Sequence, residues 1–211
     1  MIPPPFNLRR CEPRDEDAVY EVCLRTGDDG RDAALLFDDP KALGHLFVGP
    51  YMNLEPELAW VLEDGSGVCG YVLGAPDSKR FYEACRARWF PPLQRRHPDP
   101  AGDPARWTRT QRIYHEYHHP QFWLPQPYES YPSHLHIDLL PRAQGRGLGR
   151  VMMAECLAAL AARGSPGVHL GMGAVNARAE RFYKKLGFRE LARVDDVLYL
   201  GRELTGDGPI P

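Results

Sequence analysis

The stretch "PRAQGRGLGRVMM", Pro141–Met153, sets glycines at 145, 147 and 149, with Arg146 and Arg150 between and after them. "SHLHIDLLP" leads into it and reads as a strand. "GLGRVMMAECLAALAARG" leads out and reads as a helix that is apolar or small nearly all round, hence well buried. The glycines therefore mark a strand-to-helix turn. At such a turn the first backbone N–H groups of the helix, here from about Gly145 to Arg150, lack intrahelical acceptors and lie at the positive end of the dipole. Small residues let a phosphate approach them, and Arg142, Arg146 and Arg150 can add charge.

Two common phosphate loops fail on the residues. A nucleoside-triphosphate loop needs GxxxxGK[ST], and neither the lysine nor the hydroxyl is present. A dinucleotide fingerprint needs GxGxxG or GxGxxA; from Gly145 it breaks at Arg150 and from Gly147 at Met152. A third pattern remains: Gln-x-x-Gly-x-Gly, made by Gln144, Gly147 and Gly149.

Outward from the loop the chain alternates strands and helices, which predicts an α/β protein with a mixed sheet. Toward the C-terminus come a strand "GVHLGMG", a helix "NARAERFYKKLGF" with Asn176 as N-cap and Gly187 as stop, and one last strand "VDDVLYLGREL". Toward the N-terminus, "FNLRRCEPRDEDAVYEVCLRTGDDG" reads as a short strand and then a helix ended by Gly27. "DDPKALGHLFVGPYM" reads as a second, weaker helix, and "LAWVLEDGSGVCGYVLGA" as a hairpin turning at Asp64–Gly67. Residues 78–133 differ in composition, with nine prolines and eleven aromatics. This is too aromatic for a disordered linker, so it is expected to be an insertion that packs on the sheet and shapes a cleft. Within it a helix starting at "DSKRFYEA" is expected to stop at Pro91–Pro92, and "ARWTRTQRIYHEYHH" to form a helix ended by Pro120.

The 211 residues suit one domain over 1–211. A net charge of −2 argues against a nucleic-acid binder, and no apolar run is long enough for a membrane span. Five scattered cysteines without a CxxC pair argue against a zinc ribbon or a disulfide framework, so a cytoplasmic, reducing location is expected.

The Gln144–Gly149 pattern resembles the pyrophosphate loop of the GNAT superfamily of acyl-CoA-dependent N-acetyltransferases. The likeness extends over roughly residues 134–190, where "RFYKKLGF" matches the ending of that family's asparagine-initiated helix. The resemblance implies the GNAT fold, in which strands His134–Leu140 and Val168–Met172 splay apart and admit the pantetheine arm. It implies acetyl-CoA as cofactor, held by Gln144, Gly145, Arg146, Gly147, Leu148, Gly149 and Arg150, by Asn176 and Tyr183, and by a backbone N–H of Leu139 or Leu140. The order "VLEDGSGVCGY", "RWFPPLQ", "YPSHLHIDLLP", "FYKKLGF" is also similar to the acetyltransferase-like C-terminal domains of animal O-GlcNAcases. Those domains have a degenerate phosphate loop, so an acetyl-CoA-binding module without turnover is the alternative function.

The resemblance implies direct attack of a primary amine on the thioester, with an unidentified amine as acceptor. Tyr183 would protonate the leaving thiolate; a phenol of pKa ~10 against a thiol of ~8.5 makes that transfer only slightly uphill. His134, His136 and Asp138 lie at period two on one strand face, and His136 and Asp138 are the candidates for taking the amine proton. "HLH" is similar to a pair in arylalkylamine N-acetyltransferases, although counted back from the loop it is offset by one residue.

A rival motif is "HEYHH", His115–His119, which formally matches HExxH, with His115 and His119 as zinc ligands and Glu116 as base of a protease. Pro120 ends its helix at once, the extended form fails at Phe122 and Pro125, and only Glu129 offers a third ligand. The reading therefore expects no metal site.

Overall fold

The apolar runs in "AWVLED" and "GVCGYVLGA", buried on both faces, form the hairpin β2 (Ala59–Asp64) and β3 (Gly67–Ala75), closed at Asp64↔Gly67. β1 (Asn7–Arg10) pairs with β2, and β4 (Ser133–Leu139) pairs with β3, both antiparallel. The computed structural model describes residues 2–204, so the expected domain span of 1–211 reaches beyond them at both ends. β5 (Gly167–Gly173) is parallel to β4, and β6 (Arg189–Val194) and β7 (Val197–Glu203) complete the sheet in the order β1-β2-β3-β4-β5-β7-β6. The C-terminal end thus holds two strands where one was expected. "RELARV" folds back on "VLYLGRE" through Asp195, whose φ of 48° suits a tight turn.

Helices cover both faces. α1 (Glu16–Thr26) buries Val19, Val22, Cys23 and Thr26, the positions its spacing selected. The expected second helix is two, α2 (Ala42–Phe47) and α3 (Gly49–Leu54), because Pro50 fits only the first turn of a new helix. The insertion supplies α4 (Ser78–Ala84), α5 (Phe90–Arg96) and α6 (Arg109–His118). Pro91 and Pro92 do not stop a helix here. A π-helical stretch, Cys85–Trp89, precedes them and continues into the first turn of α5, and its widened turn accommodates both prolines without ending the helical run.

α7 (Leu148–Ala162) packs Met152, Met153, Cys156, Leu157 and Leu160 on one face of the sheet, together with Leu135, Ile137 and Leu170. α1, α2 and the insertion's Phe81, Phe90 and Tyr117 bury the opposite face around Val61, Tyr71 and Leu73. Aromatic residues of the 78–133 segment therefore pack on the sheet. α8 (Ala177–Lys185) follows β5. All five cysteines are free thiols, and no helix among the described residues is long and apolar enough to cross a membrane.

Candidate active site

β4 and β5 pair only at Ser133↔Val168 and His134↔His169, and then diverge while β4 runs on to Leu139 and β5 to Gly173. Polar groups tie this base together. Ser133 Oγ lies 2.6 Å from Ser165 Oγ, and His169 Nδ1 lies 2.8 Å from Tyr131 O. Beyond it the strand alternation decides which N–H groups face the gap. Leu140 donates its N–H to Cys69 O on the β3 side at 2.8 Å. Backbone groups alternate edges along a strand, so 134, 136 and 138 also point at β3, while 135, 137 and 139 point toward β5. The Leu139 N–H therefore faces the gap. The Leu140 N–H is already used and cannot serve there.

Gly145 and Gly147 take φ of 73° and 77°, values a side chain disfavours, and Gly147 caps α7. At Gly149 a Cβ would stand 3.3 Å from Phe182 of α8. Among the described residues no backbone acceptor takes the N–H groups of residues 145–149, Leu148 included, although its side chain is buried. The Arg150 N–H is spent on Gly147 O at 3.1 Å, so the open set is one residue shorter than expected. Gln144 turns inward and donates Nε2 to Leu139 O at 2.6 Å, tying the loop to β4. Arg142 is committed to Asp64 at 2.9 Å and to the Val68 carbonyl. Among the described residues Arg146 and Arg150 take part in no ion pair.

The three period-two residues of β4 have different surroundings. His134 is buried among Tyr51, Phe81 and Tyr82, with Nδ1 2.7 Å from Ser78 Oγ and Nε2 without a partner among the described residues. Burial, and then the neighbouring His169, hold it neutral. His136 is half-buried. Its Nδ1 meets Phe47 O at 3.1 Å and its Nε2 meets Asp138 Oδ2 at 3.1 Å. Burial opposes its charged form, but Asp138 and the Phe47 carbonyl outweigh burial and raise its pKa. Tyr71 donates its hydroxyl to the same Asp138 oxygen at 2.6 Å. Sequence reasoning missed Tyr71; its only signal is the β3–β4 register, which sets Tyr71 opposite Asp138.

Tyr183 on α8 is buried, and burial, then the Asp138 charge, push its phenol pKa upward. Cys23 also feels the Asp138 charge, and burial keeps its thiol protonated. Asn176 caps α8 by accepting the Ala179 N–H at 3.0 Å, and it donates Nδ2 to Asp29 O at 3.0 Å. The amide expected to reach a pantetheine thus already holds the loop after α1. At the end of β5, the space beside Gly173 is filled by the Asp29 carboxylate, where a Cβ would land. Asp29 and Asp138 stand on the same sheet face, on opposite sides of the gap. Asp29 was also missed, since nothing local in "TGDDG" points to β5.

The acetyltransferase (GNAT) domain family matches residues 118–190. The solved structure of SsHAT superposes with a TM-score of 0.89 at 43% identity, over 96% of this chain and 100% of that one. The chain belongs to the GNAT acetyltransferase family. Protein O-GlcNAcase of Rattus norvegicus is 33% identical over 205 residues, 94% of this GNAT chain and 22% of that protein. The GNAT chain thus spans about a fifth of the length of the curated relatives it matches. The structure of yncA from Salmonella typhimurium with its cofactor acetyl-CoA shares the fold, with a TM-score of 0.54 and 16% identity over 97% of both chains.

In this GNAT domain the HExxH residues occupy the last turn of α6. Glu116 Oε2 accepts the Gln121 N–H at 3.4 Å, beyond the helix end. Glu129 does not join the two histidines. Asp99 does, from the loop before α6.

Proposed function

We propose that this GNAT domain transfers an acetyl group from acetyl-CoA to a primary amine. The observation that carries the reading is the gap between β4 and β5, with open N–H groups at one end and a Tyr–Asp–His hydrogen-bonded set on its wall. The loop residues fit a diphosphate, offering five open N–H groups at 145–149 with Arg146 and Arg150 beside them. The acetyl-CoA bound to yncA supports the same ligand here. Gln144 acts through the loop it anchors, and Asn176 through the α8 start it caps.

Bound acetyl-CoA supplies an activated acyl thioester. The Leu139 N–H is the donor available to a developing oxyanion in the gap. The hydrogen-bonded His136–Asp138 pair takes the amine proton, with Asp138 stabilising the charged ring and Tyr71 fixing the carboxylate. Tyr183 stays protonated at neutral pH and supplies the proton for the leaving thiolate, a transfer that its upward shift makes more uphill than for a free phenol. Cys23 is a poor nucleophile while protonated, which supports direct attack over a cysteine-bound intermediate. Asp29 and Asp138 flank the acceptor face and suit an acceptor that arrives as a cation. The free thiols, four of them buried, suit a reducing, cytoplasmic location.

Calorimetric titration with acetyl-CoA and thiol release over a panel of amines test this reading. Saturable binding with amine-dependent release is expected. No binding at millimolar acetyl-CoA overturns it. Binding without release from any amine supports the silent module, a reading that the Asp29 carboxylate against Gly173 favours.

A further inference from the structure

Far from any use in acetyl transfer, one carboxylate bridges two histidines. Asp99 Oδ1 lies 2.8 Å from His115 Nδ1, and Asp99 Oδ2 lies 2.6 Å from His119 Nε2. The histidines are one turn apart at the end of α6, with ring centroids 4.3 Å apart. One ligand atom from each of the three residues falls within 4.8 Å of the others.

We propose that Asp99, His115 and His119 form a binding site for a divalent transition metal of the zinc class. Two imidazoles and one carboxylate make a donor set that such ions take readily, and hard ions such as magnesium or calcium do not favour it. Tetrahedral bonds of about 2.0–2.2 Å put ligand atoms about 3.3–3.6 Å apart. The three side chains therefore need only small rotations to exchange their N–H···O contacts for an ion. The cluster is partly exposed, so water completes the coordination and the ion has a path of entry.

The placement gives the ion a structural task. Asp99 lies in the proline-rich segment between α5 and α6, with Pro98, Pro100 and Pro104 around it. Around that segment, His118 Nε2 meets His97 O at 2.9 Å and Trp107 donates to Ala101 O at 3.1 Å. A metal joining Asp99 to α6 closes the loop on the helix that also holds α2 through the Tyr117 hydroxyl and Ala42 O. The protease reading is not revived, because Glu116 turns to Gln121 and the third ligand comes from upstream.

The test is titration of the metal-free full chain with zinc chloride alone, followed by calorimetry, with limited trypsin digestion at Arg106 as a second readout. Wild type is expected to bind one equivalent and to gain protection at Arg106. His115→Ala/His119→Ala and Asp99→Asn, with circular dichroism unchanged, are expected to lose saturable binding and protection. The proposal is overturned if wild type binds no zinc, or if the double variant binds it undiminished. Asp99→Asn binding as tightly as wild type overturns the three-residue site. None of these outcomes depends on acetyl-CoA.

Discussion

One oxygen of Asp138 receives both the Tyr71 hydroxyl and His136 Nε2, so the charge that raises the His136 pKa is held in place from behind. A base works only when unprotonated, so the rate should climb as pH rises through the raised pKa of His136. Asp138→Asn removes the stabilising charge and should move that rising limb to lower pH. The measurement is kcat against pH with a weakly basic amine, whose own titration lies out of the way. A limb that stays where it was rules out His136 as the base. Tyr183→Phe deletes a proton donor and little volume. It should slow the chemical step by about 10²-fold or more while leaving acetyl-CoA affinity nearly unchanged; unchanged single-turnover rates would remove the phenol from the mechanism. Asp29→Asn should raise KM for a cationic amine several-fold with kcat nearly constant, and a neutral hydrazide acceptor should not feel the change. At this scale the sequence is readable where a role follows from spacing inside one element. The Asn176 cap of α8, the burial of Tyr183 and the turn at Gly147 are placements of that kind. Tyr71 meets Asp138 across 67 residues and Asn176 meets Asp29 across 147. Those meetings depend on strand register and loop path, which no local pattern carries.

The loop before α7 works because its backbone is bent where only glycine bends cheaply. A Cβ at Gly147 would meet nothing within 4 Å, so Gly147→Ala isolates the conformational cost of a φ of 77°. That cost is about 1–2 kcal/mol, measurable as a shift in the urea midpoint at constant slope. Acetyl-CoA affinity should fall in parallel as the N–H groups turn away. Full stability in Gly147→Ala would mean the loop relaxes freely and is not preorganised. The same physics explains which elements were legible. Caps and glycine stops located α1, α7 and α8 within a residue or two, because those signals are local. Proline misled in both directions. Pro50 divides one expected helix into α2 and α3, while Pro91 and Pro92 begin α5 after a π-helical stretch absorbs the missing bonds. The residue alone does not say whether it ends one helix or starts the next; the buried neighbours, Phe90 and Leu93 for α5, decide.

Over the whole molecule the sheet is two blocks, β1-β2-β3-β4 and β5-β7-β6, joined by two residue pairs and by α7 packed across both. A ligand lying in the gap would touch both blocks at once. It would bind the folded chain alone, so it must stabilise by mass action. At a hundredfold excess over Kd that gain is about 2.7 kcal/mol. For a chain of this size, each kcal/mol moves the midpoint by about 2–4 °C, so acetyl-CoA should raise Tm by roughly 5–11 °C. Much of the affinity is assigned to the diphosphate. Arg150→Glu should therefore leave the ligand-free Tm within about 2 °C, since the side chain is exposed and has no ion pair among the described residues, and should abolish most of the shift. Raising salt should shrink the wild-type shift at fixed ligand, because exposed charges are screened. Hydrogen exchange adds the spatial check. Amides of β5 and the start of α7 should slow together on adding acetyl-CoA, while β1 and β2 stay unchanged. Slowing confined to residues 78–133 would place the ligand outside the gap and would remove the gap from cofactor binding.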